Sequence, residues 1–373
     1  MADTRLHIVS FDVPWPDNYG GVIDVFHKVR HLYALGADIH LHCFSYGRTP
    51  ATILEKFCSR VSYYPRKVSK LLLLQSTPYI VTTRVNDRLI REIQKDDAPV
   101  LLEGLHCTAQ YAAMGLRRRK IMVRAHNVEH DYYRQLARTE PHLFKRIYLD
   151  QEAAKLEKYE PEVYRNLPVA AISSADHTYF NQQYGQSLLI PAFHRNDRIA
   201  SAEGNGQYFL YHGNLGVGEN MAAVEWLLHE VQPGLKHPLV IAGQKIPAPM
   251  IRDFSSENII FHPSPTAEKM DQLIREAQVM LLPAMQNTGL KLKLIESLYN
   301  GRHVLANAAM ANDPVLTTLC HLGEDAATFI EKANQLFDQP FEDADIRRRE
   351  ELMLEYFSNR TAASRLLNAL QAS

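Results

Sequence analysis

The stretch VMLLPAMQNTGLKLKLIESLYNGRHVLAN, residues 279–307, carries the clearest statement of fold in this 373-residue chain. Its first six residues form an unbroken apolar run of strand length, as expected of a strand buried on both faces. In the helical segment that follows, Leu290, Leu294, Ile295 and Leu298 share one face, while Lys293 and Glu296 at i,i+3 share a polar one. Thr288 is read as the N-cap and Gly301 as the C′ residue of that helix. HVLAN, residues 303–307, then supplies the next strand, and strand–helix–strand units of this kind build parallel sheets.

Working outward, the same alternation fills the chain. Before the central polar stretch come LHIVSFDV (6–13), a helix over about 22–35, DIHLHCFS (38–45), PVLLEGLH (99–106), KIMVRAHN (120–127) and VAAISSAD (169–176). Residues 144–164 read as a long amphipathic helix with one buried and one wet face. In NDRIASAEGNGQ, residues 196–207, small polar residues replace the apolar periodicity and mark a domain boundary. A second set follows: YFLYHGNL (208–215), a helix over about 220–230, PLVIAG (238–243), NIIFHPS (258–264), a helix over 267–277 and the opening stretch. Two α/β domains facing each other across a cleft are therefore expected, with a last helical segment over about 343–370 crossing back to the first.

The 41 lysines and arginines nearly balance the 42 aspartates and glutamates, so no global field recruits nucleic acid. Dense basic runs are confined to Arg117-Arg118-Arg119-Lys120 and the spaced set Arg66, Lys67, Lys70. Such runs are ordinarily solvated faces, and without interleaved aromatic residues their functional alternative is an anionic membrane surface. Cys43, Cys58, Cys107 and Cys320 show no CxxC spacing, and the chain opens directly on a strand, which together imply a reduced, cytoplasmic protein. No apolar run approaches the roughly 18 residues that cross a bilayer, so any membrane contact is expected to be peripheral, at the inner face.

A helix N-terminus beyond a strand end offers free N–H groups and partial positive charge to a phosphate, and Lys291 and Lys293 add cations there. Glu296, one turn further in, is placed to accept hydrogen bonds from the two hydroxyls of a ribose. GLKLKLIESLYNGRHV (289–304) resembles the sugar-nucleotide-binding helix of GT-B glycosyltransferases, especially family 4 (group 1). YHGNLGVGENMAAVEWL (211–227) is similar to the first strand, loop and helix of that family's donor domain, and the order of the later strands fits too. The resemblance implies two Rossmann-like domains. Residues 1–195 would form an acceptor domain, 196–206 a linker and 207–345 the nucleotide-sugar donor domain, with 346–373 a C-terminal helix returning to the first.

Carried over position by position, the resemblance gives Glu296 the nucleotide ribose and sets Lys291 and Lys293 beside the diphosphate. Gly213, Asn214, Thr288, Gly289 and Leu290 complete the donor pocket, while Gly20 and Gly21 become a glycine-rich loop approaching the phosphate or the transferred sugar. His106 falls near that sugar, where it would hydrogen-bond a hydroxyl or steady oxocarbenium-like charge, and a structural histidine is the rival reading. The family often carries two glutamates with seven residues between them; the first of these positions is Thr288 here. Its frequent Arg and Lys pair is replaced by NLGVGEN (214–220), which leaves diphosphate neutralisation to Lys291, Lys293, helix dipoles and Asn214.

His126-Asn127-Val128-Glu129-His130 spells H-x-x-E-H, a zinc-peptidase pattern. His126 follows a strand instead of lying on a helix with His130, so no metal is expected there, and Arg124, His126, Asn127 and Glu129 are read as the acceptor side. His40 and His42 alternate on one strand face and are expected to be solvated. The expected activity is hexosyl transfer from a nucleoside diphosphate sugar to a hydroxyl of a glycan or glycolipid, with retention, no separate cofactor and no metal, in surface polysaccharide or glycolipid synthesis. A nucleotide-sugar epimerase of the same fold, kept open by His106 and Glu103, and a non-catalytic GT-B subunit are the alternatives, and an inverting transferase is a narrower one.

Overall fold

A computed structural model describes residues 5–111, 119–286 and 291–372. The chain divides into two compact units, 1–195 with 359–373, and 196–358. The first unit comprises β1 (Arg5–Ser10), α1 (Gly20–Ala34), β2 (Asp38–Ser45), β3 (Arg60–Pro65), α2 (Tyr79–Thr82), α3 (Asp87–Ile93), β4 (Val100–Glu103), β5 (Ile121–Ala125), α4 (Glu129–Thr139), α5 (Leu143–Tyr164), β6 (Val169–Ala171), α6 (Ser174–Tyr184) and β7 (Ser187–Leu189). Its seven strands lie in the order β3-β2-β1-β4-β5-β6-β7, all parallel.

The second unit follows as β8 (Phe209–His212), α7 (Gly218–Trp226), β9 (Leu239–Gly243), α8 (Ala248–Phe254), β10 (Ile259–Pro263), α9 (Ala267–Glu276), β11 (Val279–Leu282), α10 (Leu292–Asn300), β12 (His303–Ala306), α11 (Pro314–Leu319), β13 (His321–Leu322), α12 (Ala326–Phe337) and α13 (Asp343–Tyr356). Six parallel strands run β10-β9-β8-β11-β12-β13. The last helix, α14 (Asn359–Gln371), belongs to the first unit.

Parallel strands covered on both faces read as near-continuous apolar runs, and β4, β5, β8, β9, β11 and β12 are buried along their whole length. On one face of the first sheet Val9, Leu102 and Val123 pack with Leu156 of α5 and Phe180 of α6. On the other, Ile8, Ile39 and Leu41 meet Val25 and Val29 of α1 and Ala363, Leu366 and Leu370 of α14. The helical segment expected over 343–370 is thus two helices. Met353 and Phe357 sit in the second unit's core and Arg349 is buried against the carbonyls of Gly301 and Arg302, so α13 stays with that unit and the return starts at Asn359.

Three local expectations change. α10 begins at Leu292 with Lys291 as its N-cap, and Gly301 is extended (φ −93°) instead of left-handed; a Cβ there would meet Ser297 O at 2.9 Å, which is why glycine fits. His40 and His42 are buried, because α3 and neighbouring loops cover that face. Arg119, read as part of a solvated basic run, is buried and donates to Ile93 O at 2.7 Å. Among the described residues no helix is long and apolar enough to cross a membrane.

The loops that carry the second unit's site are held by one close backbone approach. Gly213 N donates to Ala242 O at 3.1 Å and Leu215 N to Gln244 O at 2.9 Å. At Gly243 (φ +156°) a Cβ would lie 1.7 Å from Gly213 O, so no side chain is tolerated. Gly243→Ala is expected to cost more than about 2 kcal/mol, seen as a lower thermal midpoint. An unchanged midpoint would show that the two loops are not in contact.

Candidate functional site

In an open α/β sheet, ligands are held beyond the carboxyl ends of the strands where the strand order reverses. In the second unit that point lies between β8 and β11, and α7 and α10 both start there. Lys291 Nζ lies 3.0 Å from the Glu219 carboxylate in the first turn of α7. Lys293 Nζ donates to Asn220 Oδ1 at 2.7 Å and Tyr211 OH at 3.0 Å, and stands 4.7 Å above the Tyr211 ring. Burial lowers the Lys293 pKa to about 8, with Lys291 adding to the fall and Glu219 opposing it. The Lys293–Glu296 surface pair that spacing alone suggests is therefore replaced by contacts to β8 and α7.

Glu296 lies on the same helix, its carboxylate 4.0 Å from His212 Nδ1, whose other ring nitrogen pairs with Ser297 Oγ at 2.8 Å. Asn214 shapes the loop: its Oδ1 accepts from Gly216 N at 2.9 Å, and its carbonyl accepts from Asn220 Nδ2 at 2.9 Å. Lys245 was missed by sequence reasoning. It is exposed, has φ +55°, and its stem lies over Gly216, where a Cβ would come within 2.5 Å of it. Its signal was a lysine two residues after the strand-ending glycine of LVIAG. Thr288, Gly289 and Leu290 lie outside the described residues.

The reversal point of the first unit is between β1 and β4. Gly20 and Gly21 are the first residues of α1, not a free loop, and Gly21 makes room for Phe11, whose Cζ would be 2.7 Å from a Cβ. The Phe11 ring sits 5.4 Å from the His106 ring and 5.5 Å from that of His126. His106 is in a short 3-10 turn, Leu105–Cys107, entered through Gly104 at φ +71°. Its Nδ1 is buried without a hydrogen-bond partner among the described residues, and lies 4.0 Å from Glu129. Burial, reinforced by Arg84 and His126, holds the ring neutral.

Arg124 was expected to line the acceptor side; the structure buries it completely. Its guanidinium donates to Asp24 at 2.7 and 3.2 Å, to Pro191 O at 3.0 Å and to Ile190 O. Lys28 Nζ bridges Asp24 at 2.7 Å and Glu103 at 2.9 Å, and His126 Nε2 lies 3.1 Å from Glu103. Burial alone would raise the Asp24 pKa, but Arg124, Lys28 and His126 outweigh it and hold it well below the usual range. His130, the other histidine of the H-x-x-E-H spelling, turns instead to Glu160 at 2.7 Å. Asn127, partly exposed beside His126, lies at the same strand end.

Glu129 opens α4 and is buried; burial, with Glu160 and Asp176 nearby, pushes its pKa to about 8 against the pull of Arg84. The folded state therefore keeps this proton between about pH 4.5 and 8 while the unfolded chain loses it, so this group makes stability fall as pH rises across that window. Glu129→Gln is expected to raise the thermal midpoint relative to wild type by an increment that grows from pH 5 to pH 8. An increment equal at both values would mean that Glu129 is ionised in the fold.

Residues 206–339 match the family described as Glycosyl transferases group 1. A 44.6 kDa protein in the cps region of Klebsiella pneumoniae is 25% identical over 329 residues, 82% of this chain and 83% of the relative. TarM has the same fold, with a TM-score of 0.67 at 13% identity over 99% of each chain. So does WaaG, a glycosyltransferase involved in lipopolysaccharide biosynthesis, with a TM-score of 0.67 at 14% identity over 98% of this chain and 100% of that one. A mutant of S. aureus TarM, solved in complex with fondaparinux, alpha-GlcNAc-glycerol and UDP, gives 0.66 at 12% identity over 99% of this chain and 100% of that one. The chain has the fold of the GT-B glycosyltransferases, and its residues 206–339 match the group 1 glycosyltransferase family.

Proposed function

We propose that the protein transfers a hexose from a nucleoside diphosphate sugar to a hydroxyl of a glycan or glycolipid, in the assembly of a surface polysaccharide. The observation that carries this reading is the meeting of the α7 and α10 N-termini with Lys291 and Lys293 at the β8/β11 reversal, one turn from Glu296. In this reading the helix N-termini and lysines take up the charge that develops on the departing diphosphate, the largest electrostatic demand of the reaction. Lys245 serves as a further cation and Glu296 accepts from the ribose hydroxyls. His106, neutral and with no hydrogen-bond partner for Nδ1 among the described residues, is suited to a sugar hydroxyl. His126, Asn127 and Glu129 are assigned to the acceptor.

Loss of the leaving group and deprotonation of the acceptor by its phosphate oxygen on one face of the sugar would retain anomeric configuration. No metal is needed where fixed amides and lysines neutralise the diphosphate. The UDP of the S. aureus TarM complex, the lipopolysaccharide role of WaaG and the cps-region relative support this donor class and setting. An epimerase reading still rests on His106 and Glu103. Peripheral membrane contact is assigned to exposed Leu71, Leu74, Phe144 and Ile147, which stand among Lys67, Lys70, Lys145 and Arg146.

Calorimetry with UDP, GDP and ADP is expected to find one nucleotide whose affinity falls by about 1–3 kcal/mol in Glu296→Ala. Wild-type affinity should also decline above about pH 8 as Lys293 loses its proton, and Lys293→Arg should remove that decline. Affinity unchanged by either substitution sinks the donor site. Leu71→Ser/Phe144→Ser should abolish co-sedimentation with anionic vesicles; equal sedimentation would place any lipid contact elsewhere.

A further inference from the structure

We propose that His7, His40 and His42 form a binding site for one zinc-class divalent metal ion, separate from the groups assigned to sugar transfer. β1 and β2 are parallel neighbours with His7 opposite His40, and His42, two residues on, falls on the same face of the sheet. One ring nitrogen from each histidine lies within 4.8 Å of the other two. His7 Nδ1 and His42 Nε2 are 2.9 Å apart, and the ring centroids are separated by 5.3 Å (His7–His40), 5.2 Å (His7–His42) and 3.9 Å (His40–His42). Metal–nitrogen bonds of about 2.0–2.1 Å in a tetrahedral site set ligand nitrogens about 3.3 Å apart, a spacing that lies between the 2.9 Å of the His7–His42 pair and the 4.8 Å within which all three nitrogens fall.

The arrangement around the rings is that of a supported metal site. Ligating histidines commonly commit their second nitrogen to a carboxylate or another polar partner, which fixes tautomer and ring orientation. Here His7 Nε2 pairs with Asp96 at 3.0 Å, His42 Nδ1 with Tyr64 OH at 2.9 Å and His40 Nε2 with Ser62 Oγ at 3.0 Å. His7 Nδ1 and His42 Nε2 face each other, and one ring nitrogen of His40 completes the inward set. All three rings are buried, and burial lowers each pKa, that of His40 to about 4, which favours the neutral imidazole that a metal ion binds. The cations around the cluster are already matched: Arg5 with Asp38 at 3.3 Å, Arg60 with Glu92 at 3.0 Å and Arg119 with Asp96 at 3.9 Å.

Three imidazoles without thiolate or carboxylate ligands suit zinc and its neighbours in the transition series and do not suit calcium or magnesium. The fourth position has no protein ligand in the inward set and falls to water. The cluster lies toward the N-terminal ends of β1 and β2, whereas Phe11, His106 and His126 follow the C-terminal ends of their strands. The ion would therefore staple β1, β2, β3 and the Asp96 turn together. Without it, the same side chains make a hydrogen-bonded line Tyr64–His42–His7–Asp96, and the two states differ measurably.

The full chain, stripped with a chelator, is titrated with Zn²⁺ by calorimetry and with Co²⁺ by absorption. One equivalent of Zn²⁺, a raised melting temperature and a ligand-field spectrum of a four-coordinate nitrogen-ligated Co²⁺ are expected. His40→Gln removes the ligand nearest solvent and should weaken Zn²⁺ at least tenfold; Asp96→Asn should weaken it about 10- to 100-fold through His7. If His40→Gln does not fold, Asp96→Asn and the wild-type Co²⁺ spectrum decide. No stoichiometric uptake at micromolar Zn²⁺, a six-coordinate oxygen-type spectrum, or wild-type affinity in the folded variants would overturn the proposal and leave the hydrogen-bonded line.

Discussion

Asp24 is the constraint on which the first unit depends. One buried carboxylate accepts from Arg124 of β5, from Lys28 of α1 and from the backbone N–H of Phe193 at 2.8 Å, joining α1, β5 and the end of the first long segment. Lys28 carries the link to Glu103 at the end of β4, and Glu103 in turn holds His126. Two carboxylates thus meet two fixed cations away from water. A buried pair of this kind adds little net stability over an apolar equivalent, but losing one partner costs about 3–5 kcal/mol because the other is left uncompensated. Its value lies in orientation: the strand ends that present His106 and His126 are set by charges that are shared within one buried network.

The second unit positions its strand ends by different means. Backbone meets backbone at Gly213 and Gly243, the Gly216 turn leaves room for the Lys245 stem, and Tyr211 and Asn220 receive Lys293. These are short-range steric and dipolar contacts. They leave lysines close to two helix N-termini, a combination that favours an anion and holds the Lys293 proton less tightly in its absence.

How much of this was legible in the sequence follows from the kind of signal involved. Both sheets were, because strands buried on two faces must be apolar throughout and VLLE or VMLL admits little else. The lysines and Glu296 of the α10 segment were singled out by helical spacing and resemblance, and the structure sets the lysines beside α7. Arg124 was misplaced because nothing local distinguishes an arginine facing substrate from one facing Asp24, a hundred residues earlier in the chain. The burial of His40 and His42 was hidden for a similar reason: alternation identifies a shared face, but whether that face is wet depends on α3 and the Asp96 turn arriving later. Lys245 escaped because its neighbour, Gly216, comes from a separate loop.

The return of α14 has a consequence for how the molecule is made. The second unit is one uninterrupted segment, 196–358, and every residue of its core is available once that segment has emerged from the ribosome. The first unit is not: Ala363, Leu366 and Leu370 fill the space beside Val25 and Val29, and they are synthesised only after the whole of the second unit. During translation the α1 face of its sheet must wait with apolar surface open while the second unit is made, so the unit that starts before the other is completed after it, and the nascent chain depends on the speed of that intervening synthesis or on a chaperone to cover that face.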